Sequence, residues 1–149
     1  MRALSIDPGR HTGWALWHGE TLRDHGTVNM GSPPDLARLW YLLHYHSPQR
    51  LTWEEPQGMR GMGLVRIQRY LGVLELYAQL HGIPYASVGS RENKRHATGR
   101  GHASKDEMVA AMSEKYGREI DTHDEADAIA VGLYAMERLN WTGQEDDNG

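Results

Sequence analysis

Two apolar runs, ALSID at residues 3–7 and TGWALWH at residues 12–18, are separated only by Pro8, Gly9, Arg10 and His11. That link is too short for the crossover helix that parallel strands need, so the runs pair as antiparallel neighbours. The pairing leaves a carboxylate, Asp7, at the very end of a buried strand, with the chain turning away at once. Asp-Pro-Gly is an ordinary turn sequence, so Asp7 by itself is as readily a turn residue as a functional one.

The rest of the chain narrows the fold. His18-Gly19 turns the chain again, residues 21–30 supply a third strand, and Pro33-Pro34 stop the sheet. Leu36, Leu39, Trp40 and Leu43 recur at mostly helical spacing and predict a helix from about Pro34 to His46. RLTWE at 50–54 reads as a strand cut off by Pro56, and Leu64, Ile67, Leu71, Leu74, Tyr77 and Leu80 predict a long helix ended by Gly82-Ile83-Pro84. Tyr85–Val88 is a fifth short strand, followed by a glycine-punctuated basic stretch that reads as loop for part of its length. Ser104 with Glu107, and Thr122 with Glu125, have capping-box spacing and open two further helices, to Gly117 and about Leu139. The order β-β-β-α-β-α-β-α-α describes an α/β fold, a mixed five-stranded sheet flanked by helices.

Composition excludes several classes. At 149 residues with 39% hydrophobic side chains, the chain can bury one core, taken as a single domain over residues 1–142 with an acidic, flexible tail at 143–149. The absence of cysteine removes disulfides, thiolate chemistry and Cys-ligated zinc. No apolar run approaches membrane-helix length, and the N-terminus lacks a signal peptide's basic start and apolar block, so a cytoplasmic location is expected. The net charge of −4 hides an uneven distribution: Arg91, Lys94, Arg95, Arg100 and Lys105 stand against Glu92 alone in residues 91–105. Such a stretch is either a solvated loop or a phosphate-binding face.

Carboxylates recur where elements start or stop. Asp7 ends the first strand, Glu54 and Glu55 end the fourth, and Asp124 and Asp127 fall in the opening turns of the last helix, three apart and so on one face. Singly, each has an ordinary explanation: a turn, a solvated loop end, a favourable charge at a helix N-terminus. Converging at one sheet edge, they would need neutralising, and a hard divalent cation does this with oxygen ligands. Acidic ligands without cysteine point to Mg²⁺ or Mn²⁺, and a pair of such ions can drive phosphodiester hydrolysis.

This ordered set resembles the RuvC-type Holliday junction resolvases of the ribonuclease H-like nuclease superfamily. The matching pieces are SIDPGRHTGWAL, LTWEEP and HDEADAIAVGL, in order from Ala3 to about Leu139. The resemblance implies a ribonuclease H-like fold, a homodimer, and symmetric nicking of four-way DNA junctions with two Mg²⁺ ions per site, Mn²⁺ substituting. Carried over by position, Asp7, Glu54, Asp124 and Asp127 become the metal ligands and catalytic carboxylates, with Lys94 and Lys105 the basic residues and Lys105 near the scissile phosphate. Glu55 stays open as an alternative to Glu54, because a one-residue shift would exchange their faces. His123 is either a proton-transfer neighbour of Asp124 or simply a helix-start residue. The family also wedges an apolar side chain into the junction centre; with no phenylalanine in the chain, QGMRGMG offers Met59 and Met62, with Arg60 between them. Two other readings stand beside this one: a ribonuclease H-like nuclease for RNA–DNA hybrid, flap or structured RNA, and a non-catalytic junction-binding protein.

Overall fold

The three opening strands form a meander: β1 (Arg2–Asp7), β2 (His11–His18) and β3 (Thr21–Asn29), paired antiparallel. Helix α1 (Leu36–His46) returns the chain so that β4 (Arg50–Glu55) lies parallel to β1, and α2 (Gly61–His81) does the same for β5 (Tyr85–Gly89) beside β4. The sheet order is therefore β3-β2-β1-β4-β5. Helices α3 (Ser90–Thr98), α4 (Lys105–Tyr116) and α5 (His123–Arg138) follow. The computed structural model describes residues 1–141, so the acidic tail at 143–149 lies outside the described residues. Among the described residues no helix is long and apolar enough to cross a membrane.

Strand alternation divides the core into two layers. Leu4, Ile6, Leu51 and Trp53 face α1 and α2, packing on Leu39, Leu43, Leu74 and Tyr77. Between them, Ser5 points the other way, where its hydroxyl accepts from Trp17 Nε1 at 2.9 Å and donates to the Ala128 carbonyl at 2.6 Å. Asp7 follows Ser5 on that side by period two, and Glu54 follows Thr52 likewise. Helix α5 is buried along almost its whole length by small residues, Ala126, Ala128, Ala130 and Ala135 among them, which lets it lie close against β1 and β2.

Two glycines make that approach possible. A Cβ on Gly13, the residue paired with Asp7, would overlap the Asp124 carbonyl, and one on Gly132 would overlap the Trp17 indole. Because the obstacle at Gly13 is backbone, which cannot rotate away, Gly13→Ala is expected to cost about 3–5 kcal/mol. Thermal melting should show a fall of about 10 °C or more; an unchanged melting temperature would mean that α5 is not seated on β2 in this way.

The structure departs from the sequence expectation in three places. The basic stretch is loop for part of its length, residues 99–104, but the expected order lacks the helix before it: α3 is strongly polar with only Asn93 buried, so apolar periodicity offered no signal. Helix α2 begins at Gly61, placing Met62 inside it, and its apolar positions do not make one buried stripe: Leu80 is exposed, as are Val65 and Leu76. Thr122 caps α5 by accepting from the Glu125 amide, but the Glu125 side chain does not complete a capping box. It reaches instead to the edge strand, meeting His25 Nδ1 at 2.6 Å and Thr27 Oγ1 at 3.2 Å, while Thr27 also meets Thr122 at 2.9 Å.

Candidate active site

The register of the parallel pair brings the first two carboxylates together. Ile6 lies opposite Trp53 across β1 and β4, so Asp7 and Glu54 leave neighbouring strands at the same end and on the same face. Glu55, one residue on, is exposed. From the other side α5 delivers Asp127 one turn into the helix. Oxygens of Asp7, Glu54 and Asp127 all lie within 4.8 Å of one another, and among the described residues this is the one such cluster able to share a cation. Asp124, half-buried at the margin, lies within hydrogen-bonding range of Asp7 and also sits 3.3 Å from His123 Nε2.

The electrostatics are those of an uncompensated anionic centre. Burial holds the Asp7 carboxyl well above the usual carboxylate range, and the charges of Glu54, Asp127 and Asp124 add to the effect. Asp127 is pushed up to about 8, by burial first and then by Glu54, with Lys94 opposing the rise. Glu54 is raised too, chiefly by burial, although a hydrogen bond from Asn93 and the charge of Lys94 pull it down. A donor set made only of oxygens, carrying more negative charge than one lysine offsets, suits a hard divalent cation.

The predicted cationic residues do not form one patch. Lys94 lies near enough for its charge to act on Glu54 and Asp127, whereas Lys105 is exposed and lines a cleft of about 530 Å³ with His11, His123, Asp106, Asp121 and Asp124. Arg91 is exposed, and its backbone amide donates to Gln57 in the loop after β4. Arg95 faces a separate groove with Glu92 and Tyr134, and Arg100 is paired with Glu107 at 3.1 Å. Met59 and Met62 are exposed on the other side of the site, with Arg60 at the N-cap of α2. They border a groove of about 550 Å³ that also receives Arg10, Arg66 and Arg69 and has no acidic side chain in its lining. The sequence reading missed these three arginines; the i, i+3 spacing of Arg66 and Arg69 was a readable sign, but Arg10 joins them only through the fold. It also missed Asn93, for which no sequence signal existed.

A sheet in this order, with acids converging from two strand ends and a helix laid across them, defines a ribonuclease H-like nuclease. No family model matches the chain. The RuvC crossover junction endodeoxyribonuclease of Gluconacetobacter diazotrophicus is 30% identical over 148 residues, covering 89% of this chain and 88% of that protein. Its counterpart from Granulibacter bethesdensis is 28% identical, covering 89% and 83%. Thermus thermophilus RuvC, solved in complex with Holliday junction substrate, superposes with a TM-score of 0.71 at 25% identity, covering 89% of this chain and 91% of that one. The chain belongs to the RuvC family of crossover junction endodeoxyribonucleases.

Proposed function

We propose that this chain resolves four-way DNA junctions by paired, symmetric nicks, each a hydrolysis carried out at Asp7, Glu54, Asp124 and Asp127. The observation that carries the reading is the convergence of Asp7, Glu54 and Asp127 oxygens within 4.8 Å, in a molecule that also carries a groove lined by Arg10, Arg66 and Arg69 with no acidic side chain. Membership of the RuvC family, and likeness to a relative solved with Holliday junction substrate, support the choice of substrate.

Two Mg²⁺ ions, for which Mn²⁺ substitutes, would be held by the four carboxylates and would supply the positive charge that activates water and stabilises the leaving oxygen. Asp7, Glu54 and Asp127, whose oxygens converge, would hold the ions together with Asp124 at the margin. A water oxygen forms the new bond to phosphorus while the bond to the 3′ oxygen breaks, leaving a 5′-phosphate and a 3′-hydroxyl that takes up a proton. Lys105, which lines the same cleft as Asp124, would meet the scissile phosphate, and Lys94 limits the anionic charge at Glu54 and Asp127. His123, against Asp124, orients that carboxylate.

Arg10, Arg66 and Arg69 give the Met59–Met62 groove its affinity for phosphates of a junction arm, and the two thioethers give it apolar surface toward the crossover. Arg91, exposed beside Gln57 of the loop after β4, would add a phosphate contact at the start of α3, whereas Arg95, in its own groove, and Arg100, paired with Glu107, would contribute less. Nicking opposed strands needs two sites related by a two-fold axis, hence a homodimer. Exposed Leu76 and Leu80 on the outer side of α2 are the surface that best fits such an interface.

The test is cleavage of a fixed four-way junction in Mg²⁺, with nicks mapped on all strands beside flap, RNA–DNA hybrid and structured RNA substrates. Paired nicks at symmetry-related positions are expected. Faster cleavage of the hybrid or the RNA would assign the chain to another ribonuclease H-like activity, and tight junction binding without any nicking would make it a binding protein.

A further inference from the structure

Helix α3 is highly polar, yet one residue in it, Asn93, is fully buried. Its amide nitrogen donates to Glu54 Oε2 at 2.7 Å and to the main-chain carbonyl of Asp127 at 3.2 Å. Both partners are acceptors, which fixes the amide: turned over, its oxygen would face two oxygens. In the orientation that remains, Asn93 Oδ1 is buried with no hydrogen-bond partner among the described residues. An orphaned buried acceptor is a cost to the fold, so the asparagine needs an explanation other than packing.

The explanation lies in what Asn93 leaves to Glu54. A carboxylate offers two oxygens, and a short charge-assisted hydrogen bond holds one of them, Oε2. That bond takes up one lone pair of Oε2 and fixes the turn of the carboxylate, so Oε1, which has no protein donor among the described residues, is the readier ligand. Calcium accepts both oxygens of a carboxylate and tolerates irregular coordination, whereas magnesium demands near-octahedral geometry with single-oxygen ligands. We infer that Asn93 is a positioning residue that restricts Glu54 to one-oxygen ligation and so biases this centre toward magnesium and against calcium. The inference rests on the metal-centre reading above and adds to it a basis for choosing between ions.

Metal binding is measured on the DNA-free protein by displacing Mn²⁺ with Mg²⁺ or Ca²⁺, free Mn²⁺ being read by electron paramagnetic resonance. Asn93→Leu keeps the branched shape without the donor, Asn93→Ser carries a hydroxyl too short to reach Glu54, and melting in EDTA reports folding for each. Supporting groups around a metal ligand commonly change affinity by about tenfold or more. Magnesium binding should therefore weaken about tenfold while calcium binding holds or tightens, raising the calcium-to-magnesium preference in both variants. Calcium should also become a stronger inhibitor of Mg²⁺-supported cleavage. Equal weakening of both ions, or an unmoved preference, would overturn the inference and leave Asn93 a prop. Asp7→Asn separates this from the larger reading: wild-type Mn²⁺ binding that survives that substitution would sink the metal centre itself.

Discussion

Asp7→Asn is expected to abolish metal-dependent junction cleavage while leaving junction affinity and fold intact. Asp7 is the innermost of the carboxylates, and it feels all three of the others. The substitution changes one oxygen to an amide group and removes one negative charge without altering shape. Losing a single preorganised electrostatic contact costs on the order of 10²–10³ in rate, and losing a carboxylate that would help hold the metal should cost at least about 10³. Single-turnover cleavage with a binding isotherm on the same junction separates the two effects. Cleavage within tenfold of wild type would remove Asp7 from the chemistry.

The same variant class carries a second large effect, on stability. In the metal-free protein, Asp7, Glu54 and Asp127 all have raised pKa values, so between the ordinary carboxylate range near pH 4 and about pH 8 for Asp127 the folded state binds more protons than the unfolded one. Stability from these groups is therefore present at low pH and lost as pH rises through that window. Melting in EDTA should fall by roughly 5 °C or more between pH 5 and pH 8 relative to Asp127→Asn, which lacks the group raised to about 8. Magnesium should reverse the loss, more at pH 8 than at pH 6, because protons compete with it for the same oxygens. A wild type that gains stability toward pH 8 relative to Asp127→Asn would contradict the picture of repelling, buried acids.

Asp7 and the Asp124/Asp127 pair were legible in the sequence because each is fixed by local chemistry: a strand too close to its neighbour to be parallel, and a helix start marked by Thr122. The choice between Glu54 and Glu55 was not, since it depends on strand register, and register is set across the sheet by the pairing of Ile6 with Trp53. Helix α3 was hidden for a different reason. A helix that buries one asparagine has no apolar period to read, and its place is decided by hydrogen bonds to residues 34 and 39 positions away. Glu125 was misread because the spacing that signals a capping box also suits a side chain reaching a distant strand, where His25 and Thr27 offered stronger partners.

The glycines divide the site into an anvil and a jaw. Gly13 and Gly132 are places where nothing larger fits, and they clamp α5 to the sheet so that all four acids, two from strands and two from the helix, ride on a single unyielding block. On the opposite side, residues 56–63 carry Gly58, Gly61 and Gly63, two of them at positive φ and none against packed backbone. Whatever shape of DNA is presented, accommodation has to come from that second side. Substrates can vary in how they are gripped without disturbing the distances that the reaction depends on.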